Sequence, residues 1–246
     1  MRKNAFEGKV ALVTGAGARL GRAIAVDLAA RGCDLVLHAR KSKKEAEELA
    51  RGLAAAGQRA QVLTADLAQV KQTERLAREA LKAFGKVDIL INSAGVFWPT
   101  PLQCLDAGEF EAFTAVNLRA PYLLSAELGR RMKQGGGGVI VNLACVSAQR
   151  PWKDYVPYSI SKAGVVALTL GLAKLLAPEV RVNAVAPGTV LPPEGTPAKR
   201  LKELQKRLPL KRLGRPEDIV RAVAFLIEAD FITGQIVHVD GGRSIV

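Results

Sequence analysis

The chain has 246 residues, 49% hydrophobic and 24% charged, and its 36 Lys and Arg outnumber 23 Asp and Glu for a formal charge of +13. That length and apolar content suit one α/β domain over residues 1–246, since no Pro/Ser-rich linker or break in composition divides the chain. The basic residues gather in RKSKK (40–44) and in 199–215, without interleaved aromatics or a binding motif, so solvated helix faces and an anionic ligand are expected rather than nucleic acid.

No run of about 20 apolar residues occurs. The longest, Ala163 to Ala177, is interrupted by Lys174, and no membrane span is expected. Arg2 and Lys3 precede only VALV, too short for the core of a signal peptide. Cys33, Cys104 and Cys145 are odd in number and form no C-x-x-C pair, and the chain has two histidines. A disulfide framework and a metal site are therefore not expected, and a reducing, cytoplasmic location is.

In chain order, seven apolar, β-branched runs alternate with amphipathic stretches: KVALVTG, CDLVLHA, RAQVLTADL, KVDILINSAG, GVIVNLAC, VRVNAVAPG and QIVHVDGG. Near-continuous apolar strands separated by helices predict a doubly wound, seven-stranded parallel sheet of the Rossmann type, flanked by helices on both faces. Long helices are predicted from Asp106 to Gln134 and from Val156 to Ala177. Thr189 to Arg215, with Pro192, Pro193, Pro197 and Pro209, reads as an irregular loop covering the carboxyl ends of the strands.

The first strand runs into TGAGARLGRAIA (14–25). Gly15, Gly17 and Gly21 do not fit G-x-G-x-x-G, yet they fall where a strand must turn sharply and let backbone approach a pyrophosphate at a helix N-terminus, with Arg19 and Leu20 inside the turn. At the end of the second strand, LHARKS (37–42), no acid is present to receive ribose hydroxyls. Arg40, Lys41 and Ser42 offer two cations and a hydroxyl where a 2′-phosphate would sit, and Arg19 is placed to reach the same point, so NADPH is expected over NADH.

In YSISK (158–162), Tyr158 and Lys162 are spaced to share one helix face, and Pro157 is placed to open that helix. A neighbouring ammonium and an oxidised nicotinamide would favour the phenolate, so Tyr158 can give or take the reacting proton.

Taken in order, T-G-x-x-x-R-x-G, Asp66 after the third strand, NSAG (92–95), Asn117 in VNLRAP, YSISK and APG (186–188) resemble the short-chain dehydrogenase/reductase family over practically the whole chain. The resemblance implies that Asp66 and Leu67 border the adenine, that Asn92, Ala94 and Gly95 line the dinucleotide, and that Pro187, Gly188 and Val190 contact the nicotinamide. It implies further that Lys162 holds the nicotinamide ribose, that Asn117 keeps a proton-relay water, and that the protein is a homotetramer. Where the family has a serine that polarises the substrate carbonyl, this chain has Cys145, a weaker donor, with Ser147 two residues on as a candidate substitute.

GVFWPTPL (95–102), SAQRPWKDYVPYSISKAG (147–164) and VAPGTVLPPE (185–194) look like the family's pteridine reductase branch. That implies a pterin stacked on Phe97 beside Trp98. The chain departs from the branch at Gly95, often serine, and at Cys145, often aspartate. NSAG and PEDIVRAVAFLIEADFITGQIVHVDGG (216–242) are shared with 3-oxoacyl-carrier-protein reductases, which makes a carbonyl compound the alternative substrate. A cofactor-binding protein with impaired catalysis is the reading that intact Asn117, Tyr158 and Lys162 oppose.

Overall fold

Val10–Thr14 forms strand β1 with every residue buried, as a parallel strand covered on both faces requires. In the computed structural model, which describes residues 5–192 and 195–246, the other six apolar runs also become strands. They are β2 Asp34–Ala39, β3 Ala60–Thr64, β4 Ile89–Asn92, β5 Gly138–Leu143, β6 Val180–Pro187 and β7 Ile236–Val239. All pair in parallel in the order β3-β2-β1-β4-β5-β6-β7. The outermost, β3 and β7, are the least buried.

The helices are α1 Arg19–Ala30, α2 Lys43–Ala55, α3 Val70–Phe84, α4 Ala107–Thr114, α5 Ala120–Gln134, α6 Val156–Leu176, α7 Ala198–Arg207 and α8 Pro216–Glu228. Alternate strand residues feed two apolar layers, because successive side chains leave a strand on opposite faces. Ala11, Val13, Ile89, Ile91 and Val141 pack with Ile24 and Leu28 of α1 and Val223 of α8. Leu12, Leu90 and Ile140 pack with Leu76 of α3, Leu124 and Leu128 of α5, and Leu172 of α6. Arg31, just after α1, ties the first layer together through Asp27 and Glu228, each at 2.7 Å.

Two sequence expectations change. The helix expected from Asp106 to Gln134 is two helices joined by a five-residue π turn, Ala115–Arg119. Asp106 caps α4 by accepting from Glu109 N at 2.8 Å, and Pro121, at the start of α5, has no N–H to continue the ladder, so the coil widens just before it. The segment 189–215 contains α7, whose run KRLKELQKR is made of good helix formers behind Pro197. Pro193 and Glu194 lie outside the described residues. Helix α6 is long and apolar enough by composition to cross a membrane, despite Lys162 and Lys174. It is a core helix here, burying Val165, Thr169, Leu172, Ala173 and Leu176.

The strand order reverses between β1 and β4, so the loops at their carboxyl ends diverge and open a cleft there. Ile140, fully buried at the centre of the sheet, reports on the packing of the second layer beneath that cleft. Ile140→Ala should cost about 2–5 kcal/mol of stability in urea denaturation with an unchanged slope.

Candidate active site

The cofactor end is built on the turn after β1. Thr14 Oγ1 donates to Ile91 O at 3.2 Å and accepts the N–H of Ser93 and Ala94 at 2.9 and 3.0 Å, pinning the end of β1 to the end of β4. Gly15 comes next, at φ +70°. Its N–H donates to His38 Nδ1 at 3.3 Å, and the other ring nitrogen of His38 bonds Ala65 O at 3.1 Å. That pair of contacts needs neutral imidazole with the proton on Nε2, and burial lowers the His38 pKa accordingly. A Cβ on Gly21 would stand 2.2 Å from Gly15 O, and one on Gly17 would stand 2.4 Å from Ser42 Oγ. Only glycine permits either approach. The N-terminus of α1 has no side-chain cap and no acid in its first turn, so its free N–H groups suit an anion.

Arg19 occupies the left-handed region at φ 51° and is exposed. Its Nη2 donates to Leu191 O. It thus braces the loop after β6, and it lines the same cleft as Arg40. Arg40 and Lys41 are exposed at the cleft and Ser42 lies against Gly17. Arg40 Nη1 stands 3.4 Å from Asp66 Oδ1, a long surface contact that leaves most of its donors open. Leu67 is buried beside Asp66.

At the reaction end, Lys162 is buried and donates to Leu143 O at 2.7 Å. Its Nζ lies 5.9 Å from the centroid of the Tyr158 ring. Burial pulls the Lys162 pKa from 10.5 to about 8, with the Cys145 thiol opposing. Burial also pushes Tyr158 well above the ordinary phenol value, and Cys145 adds to that shift. In this state the proton stays on the phenol, because burial disfavours the phenolate. Cys145 lines the cleft, and its Sγ accepts from Ser147 N at 3.5 Å. Ser147 is fully buried with an unpartnered hydroxyl and is not among the lining residues, so Cys145 keeps the wall position.

Asn117, carried on the π turn, spends its side chain behind the wall. Oδ1 accepts from Val96 N at 2.8 Å, and Nδ2 donates to Val96 O and to Ser161 Oγ, each at 3.1 Å. The side-chain amide is therefore a clamp between the Phe97 segment and α6, not a free water ligand. Asn92, expected along the dinucleotide, directs its Nδ2 inward to Ser125 Oγ and Asn142 Oδ1, at 3.0 and 2.8 Å.

Phe97 is 41% exposed and faces the cleft. It stacks on Tyr155 at 4.8 Å and meets Tyr158 edge-on at 4.8 Å, while Trp152 lies 6.4 Å from Tyr158. Trp98 turns aside to Phe113, with its Nε1 bonded to Glu109 at 2.7 Å. Sequence reasoning missed Trp152, Tyr155, Thr14, His38 and Arg243. For the first two, the signal was at hand in the aromatic spacing of PWKDYVPY.

One cleft of about 1390 Å³ is lined by Gly15, Arg19, Leu20, Gly21, Arg40, Lys41, Ser42, Asp66, Leu67, Ala94, Gly95, Phe97, Trp98, Cys145, Tyr158, Lys162, Pro187, Gly188 and Val190, among others. Asn92 and Asn117 do not line it. The glycine cradle, open helix terminus and cations fit a phosphorylated dinucleotide, and the volume leaves room for a small substrate beside it.

The Enoyl-(Acyl carrier protein) reductase family model matches residues 15–244. An "Uncharacterized oxidoreductase" of Thermotoga maritima is 35% identical over 98% of this chain and 99% of its own. The 3-oxoacyl-[acyl-carrier-protein] reductase of Synechocystis sp. is 33% identical over 97% and 98%. Among solved structures, FolM Alternative dihydrofolate reductase 1 from Brucella canis, complexed with NADP, superposes with a TM-score of 0.93 at 30% identity, covering 100% of this chain and 97% of that one. The chain belongs to the short-chain dehydrogenase/reductase family and is an oxidoreductase.

Lys162 offers a direct check on the site's electrostatics. With lysines labelled at the ε-carbon, one NMR resonance should titrate near pH 8 and be lost in Lys162→Met. Because the folded protein releases that proton where the unfolded chain still binds it, wild-type stability relative to Lys162→Met should rise with pH between about 8 and 10.5. A flat difference across that window would show a solvated ammonium.

Proposed function

We propose that this chain is an NADPH-dependent, pteridine reductase-like enzyme that reduces a C=O or C=N bond in a small, flat substrate. The aromatic wall carries the reading: the exposed Phe97 ring stands edge-on to Tyr158, with Trp152 beside both. A planar heterocycle stacks well on such surfaces. The Brucella canis neighbour, described as a dihydrofolate reductase, supports the same choice.

Gly15 and Gly21 would admit the pyrophosphate to the N-terminus of α1, and Arg40, Lys41 and Ser42 would receive the 2′-phosphate. Asp66, Leu67, Ala94 and Gly95 would flank the adenosine half, with Pro187, Gly188 and Val190 at the nicotinamide. A bound reduced nicotinamide supplies the hydride. Tyr158, held as the phenol by burial, donates the proton to the substrate oxygen or nitrogen. Lys162 holds the ribose hydroxyls and stabilises the phenolate left behind. Cys145 borders the reacting group as a weak donor, and Asn117 is a positioning residue that fixes Val96 against Ser161.

A 3-oxoacyl thioester or simple ketone is the second reading, favoured by the Synechocystis relative and by a thiol instead of an acid at residue 145. We further read residues 1–246 as one domain, because a single sheet draws strands from Val10 to Val239. Assembly as a homotetramer is supported by two exposed apolar faces, Tyr122, Leu170 and Leu175 on α5 and α6, and Phe225 and Phe231 at α8. Three free thiols accord with a reducing, cytoplasmic compartment.

NADPH should bind at least tenfold more tightly than NADH in fluorescence titration, since each charged hydrogen bond to the 2′-phosphate contributes about 1.5–3 kcal/mol. Arg40→Ala should erode that margin, and equal affinity of the wild type for both cofactors would remove the assignment. Tyr158→Phe should lower kcat for dihydrobiopterin by about 100-fold or more while NADPH still binds. If the wild type instead reduces only acetoacetyl thioester, the second reading replaces the first.

A further inference from the structure

The aromatic wall carries a charge that the proposed reaction does not use. Arg243, in the segment after β7, lies over the indole of Trp152 with its guanidinium carbon 4.3 Å from the ring centroid. Its Nη1 donates to Thr189 Oγ1. The side chain is half-buried and lines the cleft together with Trp152, Cys145 and Tyr158. Burial works against its charge and lowers its pKa.

Asp240 acts on Arg243 electrostatically, but its two oxygens are engaged by the backbone N–H of Gly242 and Ser244 at 2.8 and 2.7 Å. Among the described residues Arg243 forms no ion pair. A guanidinium partly withdrawn from water, with no carboxylate paired to it among the described residues, costs free energy, and neither an indole face nor a threonine hydroxyl returns the whole of it. The described residues that line the same cleft also include Lys153, Arg200 and Arg207, and the acid Glu203. Trp152 neighbours both the Arg243 guanidinium carbon, 4.3 Å from its ring centroid, and the Tyr158 ring, 6.4 Å away between centroids, so a molecule lying along the indole can meet both.

We propose that the substrate carries a carboxylate, which pairs with Arg243 against the Trp152 indole while the bond to be reduced lies at Tyr158. This rests on the reductase reading and narrows its substrate to a flat, anionic carbonyl or imine compound. A guanidinium already oriented by an indole and a hydroxyl presents its fork to a carboxylate with little further ordering.

The test uses two probes of the same shape, para-formylbenzoate and its methyl ester. Binding to the NADP-loaded protein is followed by tryptophan fluorescence, and kcat/KM is measured with NADPH. The wild type should bind the acid about tenfold or more tightly than the ester. In Arg243→Gln that ratio should fall to about twofold or less, with Arg243→Lys between them. Equal binding of both probes by the wild type, binding of neither, or a ratio that survives in Arg243→Gln overturns the inference. A fall in NADPH affinity with the ratio intact also overturns it, assigning Arg243 to the cofactor. Reduction of the ester with no preference for the acid leaves the reductase standing and removes the anion site. Preferential binding of the acid with no turnover of either probe supports the anion site and counts against carbonyl reduction at this cleft.

Discussion

The carbonyl oxygen of Gly15 lies 2.2 Å from the point where a side chain on Gly21 would begin. That approach lets β1 turn directly into α1, and the cleft depends on it. With any larger residue at Gly21 the helix would be displaced, and its open N-terminus would no longer face the reversal in strand order between β1 and β4. Thr14 and His38 hold the two sides of this turn, one to the end of β4 and the other to the end of β3. The anion-binding geometry is thus a property of four strand ends together.

A second constraint acts at the opposite end of the cleft. Tyr158 and Lys162 reside on a core helix, and the burial that stabilises α6 also removes water from both groups. Desolvation favours the neutral phenol and the neutral amine alike, moving Tyr158 up and Lys162 to about 8. A protonated phenol suits the reductive direction. The same helix carries Ser161, through which the Asn117 clamp couples the reacting pair to the Phe97 segment. Packing, proton placement and the aromatic wall therefore share one element.

Legibility varied with the range of the interaction. The seven strands could be read because burial on both faces demands unbroken apolar, β-branched runs, and each run became a strand. The π turn could not be read from periodicity, since a widened coil keeps its apolar residues on nearly the same face; Pro121 was its one local mark. Helix α7 was hidden for the opposite reason: the prolines around it signal irregular chain more loudly than KRLKELQKR signals helix.

The sequence by itself determined the features that neighbours along the chain dictate: the parallel sheet, the glycine turn, the cations of RKSKK, and the Tyr158 and Lys162 spacing on one helix face. Tertiary structure alone decided the features that depend on segments far apart. It turned Asn92 and Asn117 inward to bond Ser125 and Ser161, committed Arg19 to Leu191, and laid Arg243 over Trp152 beside Thr189, 54 residues before it. The direction of a side chain and the pKa of a buried group are set by the surroundings that folding assembles, and no local pattern of residues contains those surroundings.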